Sequence, residues 1–398
     1  MKLGPGKFHI AVIAEDYPPN QGGIAEYSVN LVRALVDQGH DVRVVSAHVS
    51  GDERVDKNSP VHVVRIGDKD IRRRSLGLLA RRQAVARFQK ELDSWLAAEY
   101  QEYKPDFAIV SSVSVWANVC TRFDLPYAIC VHGGDAFGKR TDFLRSYYRQ
   151  FVVRSVLRRA SAIFTNSHFT AAQVSALGGF RGDIVTTYCG VARDFIEVVD
   201  AENICDNRPQ NGHKLLMMCR LVPIKACDVV LHAVALLARK YPDVLLGIAG
   251  DGPLRQALED QAQKLGILNN VKFLGYVNDV SIKAALFRDC HIYVQTGRLD
   301  PREGRPEAFG IVFAEAGMCC RPVVGPRIGG VPEVISDGVS GCLVEPDDPE
   351  SLMVAVDGLL SDPDAAQRMG LAGREKVLNN FSYSRIAKKI VEQMKQVI

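Results

Sequence analysis

Two glutamates, Glu307 and Glu315, stand eight positions apart in a stretch that follows the apolar run from Cys290 to Thr296. Eight positions of an α-helix turn through about 800°, roughly 80° past two full turns, so one continuous helix would point the two carboxylates in different directions. They converge only if Glu307 lies in a loop and the helix begins near Gly310. Both carboxylates and the free N–H groups of the first helical turn then face one point, where a phosphate carrying a sugar could bind.

A simpler interpretation of these two acids is also open. Glu315 can be a solvated residue of a helix that runs to about Cys320, and Glu307 can be an acid at a helix start that stabilises the helix dipole. The spacing by itself does not decide between a ligand site and an ordinary acidic helix.

Two cations near the middle of the chain, Arg220 and Lys225, could complement such a site. They follow the apolar run from Leu215 to Cys219, which predicts a strand. Two fixed cations can neutralise the negative charge of bound phosphate groups. The alternative is a pair of ordinary surface cations.

The first half of the chain offers a glycine pair and a histidine at the ends of predicted strands. Gly22 and Gly23 lie between the first strand and the first helix, where the missing side chains let backbone approach a ligand closely. The dinucleotide-binding pattern G-x-G-x-x-G is absent from this position, which argues against an NAD-dependent dehydrogenase. His132 follows the run from Tyr127 to Val131. Instead of contacting a ligand, Gly22 and Gly23 can form a plain turn, and His132 can have a structural role.

The elements that must position these residues alternate between apolar strand-like runs and amphipathic helical runs, which predicts parallel sheets covered by helices on both faces. Residues 197–213, rich in Asp, Asn, Pro and Gln, predict a linker between two series of strands. We expect an N-terminal domain at residues 1–200, a C-terminal domain at 201–380 and a last helical segment at 381–398. The predicted strands are residues 8–14, 41–47, 61–66, 107–111, 127–131, 162–166, 184–189, 215–219, 244–249, 271–274, 291–295, 322–324 and 341–344.

Length and composition agree with two globular domains. The chain has 398 residues, 47% hydrophobic and 24% charged, and a domain usually takes roughly 100 to 200 residues. The longest stretch without a charged residue, Ala160 to Phe180, is interrupted by polar residues and does not predict a membrane span. The apolar run from Phe8 to Ala14 is too short for a signal peptide. We therefore expect a cytoplasmic protein.

The cysteines and acidic residues do not predict a metal site. Ten cysteines are scattered through apolar segments without a C-x-x-C pair, and we expect them to be reduced residues of the core. The adjacent Cys319 and Cys320 lack a histidine at zinc-ligand spacing. The pairs Asp68 with Asp70 and Asp362 with Asp364 fit charged loops better than a cation site.

Two basic stretches, residues 71–95 and 140–159, interleave arginines with apolar residues. Such segments suit an anionic membrane surface, where each cation contributes about 1 kcal/mol. Solvated helix faces are the alternative, and the net charge of +3 is too small to decide. No nucleic-acid-binding motif arranges these cations, so nucleic acid is not an expected partner.

The stretch from Arg305 to Ala316 resembles the Glu-x7-Glu signature of glycosyltransferase family 4, a family of retaining enzymes. Residues 322–325 and 329–335 are similar to the segment that follows in that family, and residues 219–226 resemble its Gly-Arg-Leu-x-x-x-Lys-Gly motif. Cys219 and Ala226 stand there in place of glycines. The resemblance implies an α/β protein of the GT-B fold: two doubly wound, Rossmann-like domains facing across a cleft, with the last helix crossing back to the first domain.

The resemblance also implies roles for individual residues of the second domain. Arg220 and Lys225 would hold the leaving diphosphate, Glu307 would lie near the hydroxyls of the sugar, and Glu315 would hold the ribose hydroxyls. The backbone N–H groups expected to receive hydroxyl and phosphate oxygens are those of Phe309, Gly310, Ile311 and Val312. The backbone segment expected to contact the nucleobase is Gly275, Tyr276 and Val277.

In the first domain the family resemblance places Gly22 and Gly23 opposite the donor phosphates. His132 belongs to a segment similar to the family's His-Gly-x-Asp, with Asp135 as the acid, and would contact the sugar near its hydroxymethyl group. His132 thereby joins Arg220, Lys225 and Glu307 as an expected catalytic residue. No metal ion or other cofactor is expected, because the two cations can take the place of a metal.

The implied reaction is transfer of a hexose-type sugar from a UDP-sugar or GDP-mannose to a hydroxyl of a glycan or lipid-linked acceptor, with retention of configuration, in cell-surface polysaccharide or glycolipid synthesis. The inner face of the plasma membrane is then a second expected location, with the enzyme bound peripherally. Four alternatives stay open: an NDP-sugar 2-epimerase of the same fold, a natural-product glycosyltransferase, a catalytically silent nucleotide-sugar-binding subunit, and a membrane-bound structural protein. The last of these would explain the arginine stretches and leave the second half of the chain unexplained.

Overall fold

The computed structural model describes residues 4–20, 22–49, 51–57, 59–67, 78–134, 136, 153–206, 209, 212–300 and 304–398, with the backbone alone at 55, 78–86, 100 and 115. Contacts between Cα atoms divide the chain into two compact units. One unit comprises Met1–Tyr188 together with Tyr383–Ile398, and the other comprises Cys189–Ser382.

In the described part of the first unit, seven parallel strands form one sheet in the order β3-β2-β1-β4-β5-β6-β7. The strands are β1 His9–Ala14, β2 Asp41–Ala47, β3 His62–Ile66, β4 Phe107–Val110, β5 Tyr127–Val131, β6 Ala162–Thr165 and β7 Asp183–Thr186. The helices described in this unit include α1 Gly23–Asp37, α2 Asp52–Asp56, α3 Leu78–Glu102, α4 Asn118–Arg122 and α5 His168–Leu177. Strands β1, β4 and β5 are almost fully buried, as expected for central strands covered on both faces.

The second unit contains a six-stranded parallel sheet in the order β10-β9-β8-β11-β12-β13. Its strands are β8 His213–Met218, β9 Val244–Ala249, β10 Val271–Gly275, β11 Ile292–Val294, β12 Val323–Pro326 and β13 Gly341–Val344. The strand order reverses between β8 and β11, and ligands of open α/β sheets bind at the carboxyl ends of strands beside such a reversal. The loop with Arg220 and Lys225 follows β8, and the loop with Glu307 follows β11.

The helices of the second unit lie between these strands and after them. They are α6 Arg193–Ala201, α7 Cys227–Leu237, α8 Arg255–Lys264, α9 Val280–Arg288, α10 Ile311–Met318, α11 Val331–Val334, α12 Pro349–Ser361 and α13 Pro363–Asn380. Each predicted strand is present, and the observed bounds differ by a few residues at most. These strands were predicted from apolar runs bounded by polar residues. Such a pattern depends only on neighbouring residues, so it can be recognised without knowledge of the fold.

The last helix, α14 Tyr383–Met394, packs against α1 of the first unit. The Tyr383 ring lies 5.8 Å from that of Tyr27, and the amide of Gln38 donates to the carbonyl of Ser384 over 2.7 Å. The apolar face of α14, including Ile386 and Ile390, is buried. These contacts group the C-terminal helix with the first unit.

The predicted linker at residues 197–213 is wrong in its first part, because residues 197–201 belong to α6. Phe195 and Val199, four positions apart, are buried on one face of this helix, and the Phe195 ring lies 6.0 Å from that of Phe287 in α9. The acidic residues that suggested a linker form the outer face of the helix. The division between the units accordingly falls after Tyr188, where we expected it after residue 200.

The expectation of reduced cysteines is wrong for one pair. Cys205 and Cys320 form a disulfide with a Cα–Cα distance of 5.1 Å. The two residues are 115 positions apart, so no local spacing could reveal that the fold brings them together. The other cysteines carry free thiols.

The two basic stretches fall partly outside the described residues, which exclude 71–77 and 140–152 and describe 78–86 by their backbone alone. Among the cations that are described, Arg87, Lys90, Arg154 and Arg158 are exposed. Within the described ranges, no helix combines the length and the apolar character needed to cross a membrane.

Candidate active site

The loop from Cys219 to Cys227, which we call the phosphate loop, connects β8 to α7. It makes a single 3₁₀ turn at Pro223–Lys225 and then passes through Ala226, whose φ of 46° and ψ of 42° are left-handed. An alanine rarely adopts this conformation, which glycine adopts freely. The backbone at this position thus has a conformation that favours glycine, the residue that the family motif has there.

Two glycines after β9 hold the start of the phosphate loop in place. The amides of Cys219 and Leu221 donate to the carbonyls of Ala249 and Asp251 over 3.0 and 2.9 Å. A Cβ atom at Gly250 would lie 1.8 Å from the carbonyl oxygen of Cys219, and one at Gly252 would lie 2.5 Å from that of Leu221. Only glycine permits this approach, so the backbone of residues 219–221 is fixed from one side.

Arg220 and Lys225, the two predicted cations, both lie in the phosphate loop and differ in their surroundings. Arg220 is exposed, and its guanidinium makes no hydrogen bond or ion pair within the described residues. Lys225 is about four-fifths buried and forms an ion pair with Glu307, whose side chain is buried to a similar extent. Arg220 is thus available to a ligand, while Lys225 is held in place.

The charges of Lys225 and Glu307 stabilise each other. Burial acts to lower the pKa of Lys225, but the carboxylate of Glu307 outweighs it and raises that pKa above its ordinary value. Burial likewise acts to raise the pKa of Glu307, but Lys225 and the backbone amides of Ala308 and Phe309 lower it below its ordinary value. Both groups are therefore charged at neutral pH.

The structure confirms that Glu307 lies in a loop and that the helix begins next to Gly310. Helix α10 starts at Ile311, and Gly310 caps it with a φ of 87°. A Cβ atom at Gly310 would lie 2.7 Å from the ring of Phe313. Gly310 has no side chain to cap this helix. Of the first three N–H groups of α10, only that of Phe313 donates within the described residues, to the carbonyl of Gly310 over 3.1 Å, so the other two are available to a ligand.

A second glycine pair fixes the backbone of Glu307. The amide of Gly330 donates to the carbonyl of Glu307 over 3.0 Å. Gly329 has a φ of 63°, and a Cβ atom there would lie 2.1 Å from the same carbonyl oxygen. The Gly329–Gly330 turn before α11 therefore determines where Glu307 lies.

Glu315 is not the solvated helix residue of the simpler interpretation, because it is 7% exposed on the buried side of α10. Its Oε1 accepts a hydrogen bond from Lys283 at 2.5 Å, while its Oε2 is buried and has no hydrogen-bond partner among the described residues. A buried carboxylate oxygen without a partner is costly. A hydroxyl group of a bound ligand would satisfy it.

The two acids lie near a common buried residue, Tyr293 of β11. Burial raises the pKa of the Tyr293 phenol well above its ordinary value, and the negative charges of Cys219, Glu315 and Glu307 raise it further. Its hydroxyl donates to the carbonyl of Met218 over 3.1 Å. The floor of the site thus brings together the ends of β8 and β11 with both glutamates.

Sequence reasoning missed Lys283, which lies on α9 and pairs with Glu315, 32 positions away. The Lys283 ammonium also lies 5.4 Å from the centre of the Phe195 ring. A lysine on a helix face carries no distinguishing local signal, so only the folded structure identifies it.

The segment expected to contact a nucleobase follows β10. Gly275, with a φ of 74°, accepts a hydrogen bond from the amide of Gly250 over 2.7 Å. The Tyr276 side chain is 60% exposed, and Val277 is half-buried. This segment thus lies beside the turn that supports the phosphate loop, while its contact with a base stays a prediction.

The site residues predicted in the first unit lie at the carboxyl ends of its strands. His132 follows β5, its Nε2 donates to the carbonyl of Ser111 over 2.8 Å, and its ring meets that of Tyr27 edge-on at 4.5 Å. Gly22, with a φ of 137°, precedes α1, and Cβ atoms at Gly22 or Gly23 would meet nothing within 4 Å. The roles of these residues stay predictions, and Asp135 lies outside the described residues.

Comparison with known proteins finds a matching family model for each half of the chain. A family model described as "Glycosyl transferase 4-like domain" matches residues 22–190, and one described as "Glycosyl transferases group 1" matches residues 203–376. The chain belongs to glycosyltransferase family 4. The glycine pair and His132 thus fall in the first of the two family domains, and the two cations and two glutamates fall in the second.

Individual relatives match this glycosyltransferase along almost its whole length. The GDP-mannose-dependent alpha-(1-6)-phosphatidylinositol monomannoside mannosyltransferase of Mycolicibacterium smegmatis is 26% identical over 388 residues, which are 96% of this chain and 97% of that protein. A glycosyltransferase from Rickettsia africae has a similar structure, with a TM-score of 0.74, 19% identity and 98% coverage of both chains. Anabaena HepE in complex with UDP and glucose gives a TM-score of 0.70 at 20% identity, covering 98% of this chain and 99% of HepE. These likenesses show that the fold is GT-B.

Proposed function

We propose that this family 4 glycosyltransferase moves a hexose-type sugar from a UDP-sugar or GDP-mannose to a hydroxyl of a glycan or lipid-linked acceptor, in the synthesis of cell-surface polysaccharide or glycolipid. The observation that carries the proposal is the combination of the exposed Arg220, the charged Lys225–Glu307 pair and the unpartnered oxygen of Glu315 within one domain. A nucleotide sugar supplies a diphosphate for the cations and ribose hydroxyls for Glu315.

In the proposed reaction, the phosphate loop holds the diphosphate. Glu307 keeps Lys225 protonated, so the phosphates contact a full positive charge. This charge stabilises the negative charge that develops on the phosphates as the sugar leaves. The amides from Gly310 to Val312 at the start of α10 face the donor's sugar hydroxyls and phosphate oxygens.

We propose that the leaving phosphate oxygen takes the proton of the acceptor hydroxyl, so that the configuration at the sugar is retained. Glu307 is a poor general base at neutral pH, because its pKa is lowered and its carboxylate is engaged by Lys225. This arrangement differs from that of a retaining glycosidase, in which two carboxyl groups flank the bond as acid and nucleophile.

The proposed donor and acceptor draw on the relatives. The mycobacterial relative is named for GDP-mannose as donor and a phosphatidylinositol mannoside as acceptor, and it matches almost the entire chain. HepE was crystallised with UDP and glucose. Both names fit a nucleoside diphosphate hexose as donor, and the mycobacterial name supplies the glycolipid acceptor.

We further propose that transfer needs no metal ion, since Arg220 and Lys225 supply the positive charge that a metal would otherwise provide. The reaction should therefore keep its rate when EDTA is added. A loss of transfer that magnesium or manganese restores would contradict this part of the proposal.

The nucleotide can be identified from thermal stability, because a ligand at 100 times its dissociation constant stabilises the protein by about 2.7 kcal/mol. We expect UDP or GDP to raise the melting temperature more than ADP or TDP. The matching nucleotide hexose should then label a glycan or lipid acceptor, and NMR of the product should show the anomeric configuration of the donor. Epimerised sugar from the donor alone would favour the 2-epimerase, and binding without any turnover would favour a silent subunit.

A further inference from the structure

We propose that Cys219 and Cys227 are an oxidative modification site, at which a reversible disulfide closes across the phosphate loop and prevents it from binding the donor. The effect on sugar transfer rests on the proposed function, whereas formation of the bond does not. The family motif has glycine at the first of these positions, so the pair is a feature of this chain.

The two thiols are already in contact. Their Sγ atoms lie 3.7 Å apart, and a disulfide requires about 2.05 Å, so the sulfurs must approach by roughly 1.7 Å. Cys219 is half-buried and can be reached by a small oxidant, while Cys227, the first residue of α7, is 1% exposed. This arrangement gives one accessible thiol and one protected thiol beside it.

The surroundings make the two cysteines chemically different. A hydrogen bond donated by the Cys227 thiol lowers the pKa of Cys219, and although burial opposes this, the Lys225 ammonium lowers that pKa further. The same hydrogen bond and burial raise the pKa of Cys227 far above its ordinary value. Because the thiolate is the reactive form, Cys219 is the attacking group and Cys227 keeps its proton until the second step.

Hydrogen peroxide can serve as the oxidant, and the reaction balances in two steps. The Cys219 thiolate attacks one peroxide oxygen, the O–O bond breaks, and the hydroxide that leaves takes up a proton to become water, which produces a sulfenic acid. The Cys227 sulfur then attacks the Cys219 sulfur, the S–O bond breaks, and the hydroxyl group leaves as water with the Cys227 proton. Two thiols and one peroxide thus become one disulfide and two waters.

The disulfide should displace Lys225 rather than Cys219. The backbone of residues 219–221 is tied by hydrogen bonds to Ala249 and Asp251, and Gly250 and Gly252 block its movement on that side. The approach of the sulfurs must therefore be taken up on the side of the loop that contains Lys225 and Ala226. A displacement of about 1 Å at a catalytic group can cost on the order of 100-fold in rate.

The bond itself can be detected without any activity measurement. Trypsin separates the two cysteines into peptides 215–220 and 226–239, and peroxide should join these two peptides in a non-reducing digest. Dithiothreitol should separate them again. In Cys227→Ala the joined peptides should be missing and a sulfenic acid at Cys219 should be trapped by dimedone. Cys342→Ser, which removes another half-buried thiol of the same unit, should still give the joined peptides.

The consequence is measured on the same oxidised protein. Labelling of Lys225 by an amine-reactive reagent should become faster as the lysine leaves Glu307, and the thermal shift by UDP or GDP should be lost and then restored by dithiothreitol. Absence of the joined peptides in the folded wild-type protein would overturn the proposal. Joined peptides with unchanged Lys225 labelling and nucleotide binding would overturn it as well. If the reduced protein transfers no sugar, the proposed function fails, while the peptide map and the Lys225 labelling still decide this inference.

Discussion

Lys225 and Glu307 lie 82 positions apart in the chain and form an ion pair at the floor of the candidate site. The lysine comes from the loop after β8 and the glutamate from the loop after β11, two strands that are neighbours in the sheet. Each charge is stabilised by the other, so the pair holds a cation in place before a ligand arrives. A preorganised cation of this kind is worth more to a reaction than a mobile one.

Replacing Lys225 tests the proposed diphosphate site. Lys225→Ala removes the held cation, and we expect transfer to fall by about 100-fold or more, with a folded protein as judged by its circular dichroism spectrum. Lys240→Ala is a suitable control, because Lys240 is an exposed lysine of the same unit. Full activity in Lys225→Ala would rule out the diphosphate role.

The pH dependence of stability should reflect the same pair. The pKa of Glu307 is lowered from an ordinary value of 4.5, so its contribution is complete above about pH 4.5 and is lost as the pH falls through the folded pKa. The pKa of Lys225 is raised from 10.5, so its contribution is complete below about pH 10.5 and is lost as the pH rises through the folded pKa.

We therefore expect the difference in unfolding free energy between wild type and Glu307→Gln to be constant between these two pH values and to shrink outside them. Urea unfolding at a series of pH values measures this difference. A difference that changed steadily between pH 6 and pH 9 would show that other groups dominate.

Ala226→Gly should stabilise the second unit. The left-handed conformation of Ala226 costs an alanine roughly 1–2 kcal/mol, while the greater freedom of glycine in the unfolded chain takes back about 0.4–1 kcal/mol. The expected net gain is up to about 1.6 kcal/mol, the difference between these two terms, measured by urea unfolding. Ala235→Gly, the same change at a right-handed position inside α7, should instead destabilise by about 1 kcal/mol. Equal effects of the two changes would contradict the strain at Ala226.

Two glycines with similar backbone conformations allow the support of Glu307 to be tested. Gly329 and Gly338 have φ values of 63° and 73°, but a Cβ atom meets the Glu307 carbonyl at the first and nothing within 4 Å at the second. Alanine at either position should cost about 1 kcal/mol of backbone strain. Only Gly329→Ala should also lower transfer, since Glu307 must move. Equal activities of the two variants would show that Gly329 does not position Glu307.

Lys283 should matter for donor binding through Glu315. Lys283→Met removes the cation that holds Oε1 of the buried Glu315, so we expect the KM for the donor to rise about tenfold, as for a lost charge-assisted hydrogen bond. The value of kcat should change less, because the ribose is distant from the reacting bond. Lys272→Met, at an exposed position in β10, is the control. A larger effect on kcat than on KM would argue for a different role.

The sequence by itself predicted the strands and the change of fold unit near the middle of the chain, and it placed Glu307 in a loop on the condition that the two carboxylates converge. These features depend on residues close together in the chain: apolar runs, turn residues and the angular step of a helix. The same local signals identified Arg220 and Lys225 through the motif around them. Helix α6 was missed because its apolar face consists of few residues, among them Phe195 and Val199, within an acidic segment.

Only the tertiary structure decided which side chains meet. The pairs Lys225 with Glu307, Lys283 with Glu315 and Cys205 with Cys320 join positions far apart in the chain. Ion pairs, hydrogen bonds and disulfides depend on distances of a few ångströms in space, and the order of strands in the sheet sets those distances. Local sequence patterns carry no record of that order, so the partners of the site residues became known only from the folded chain.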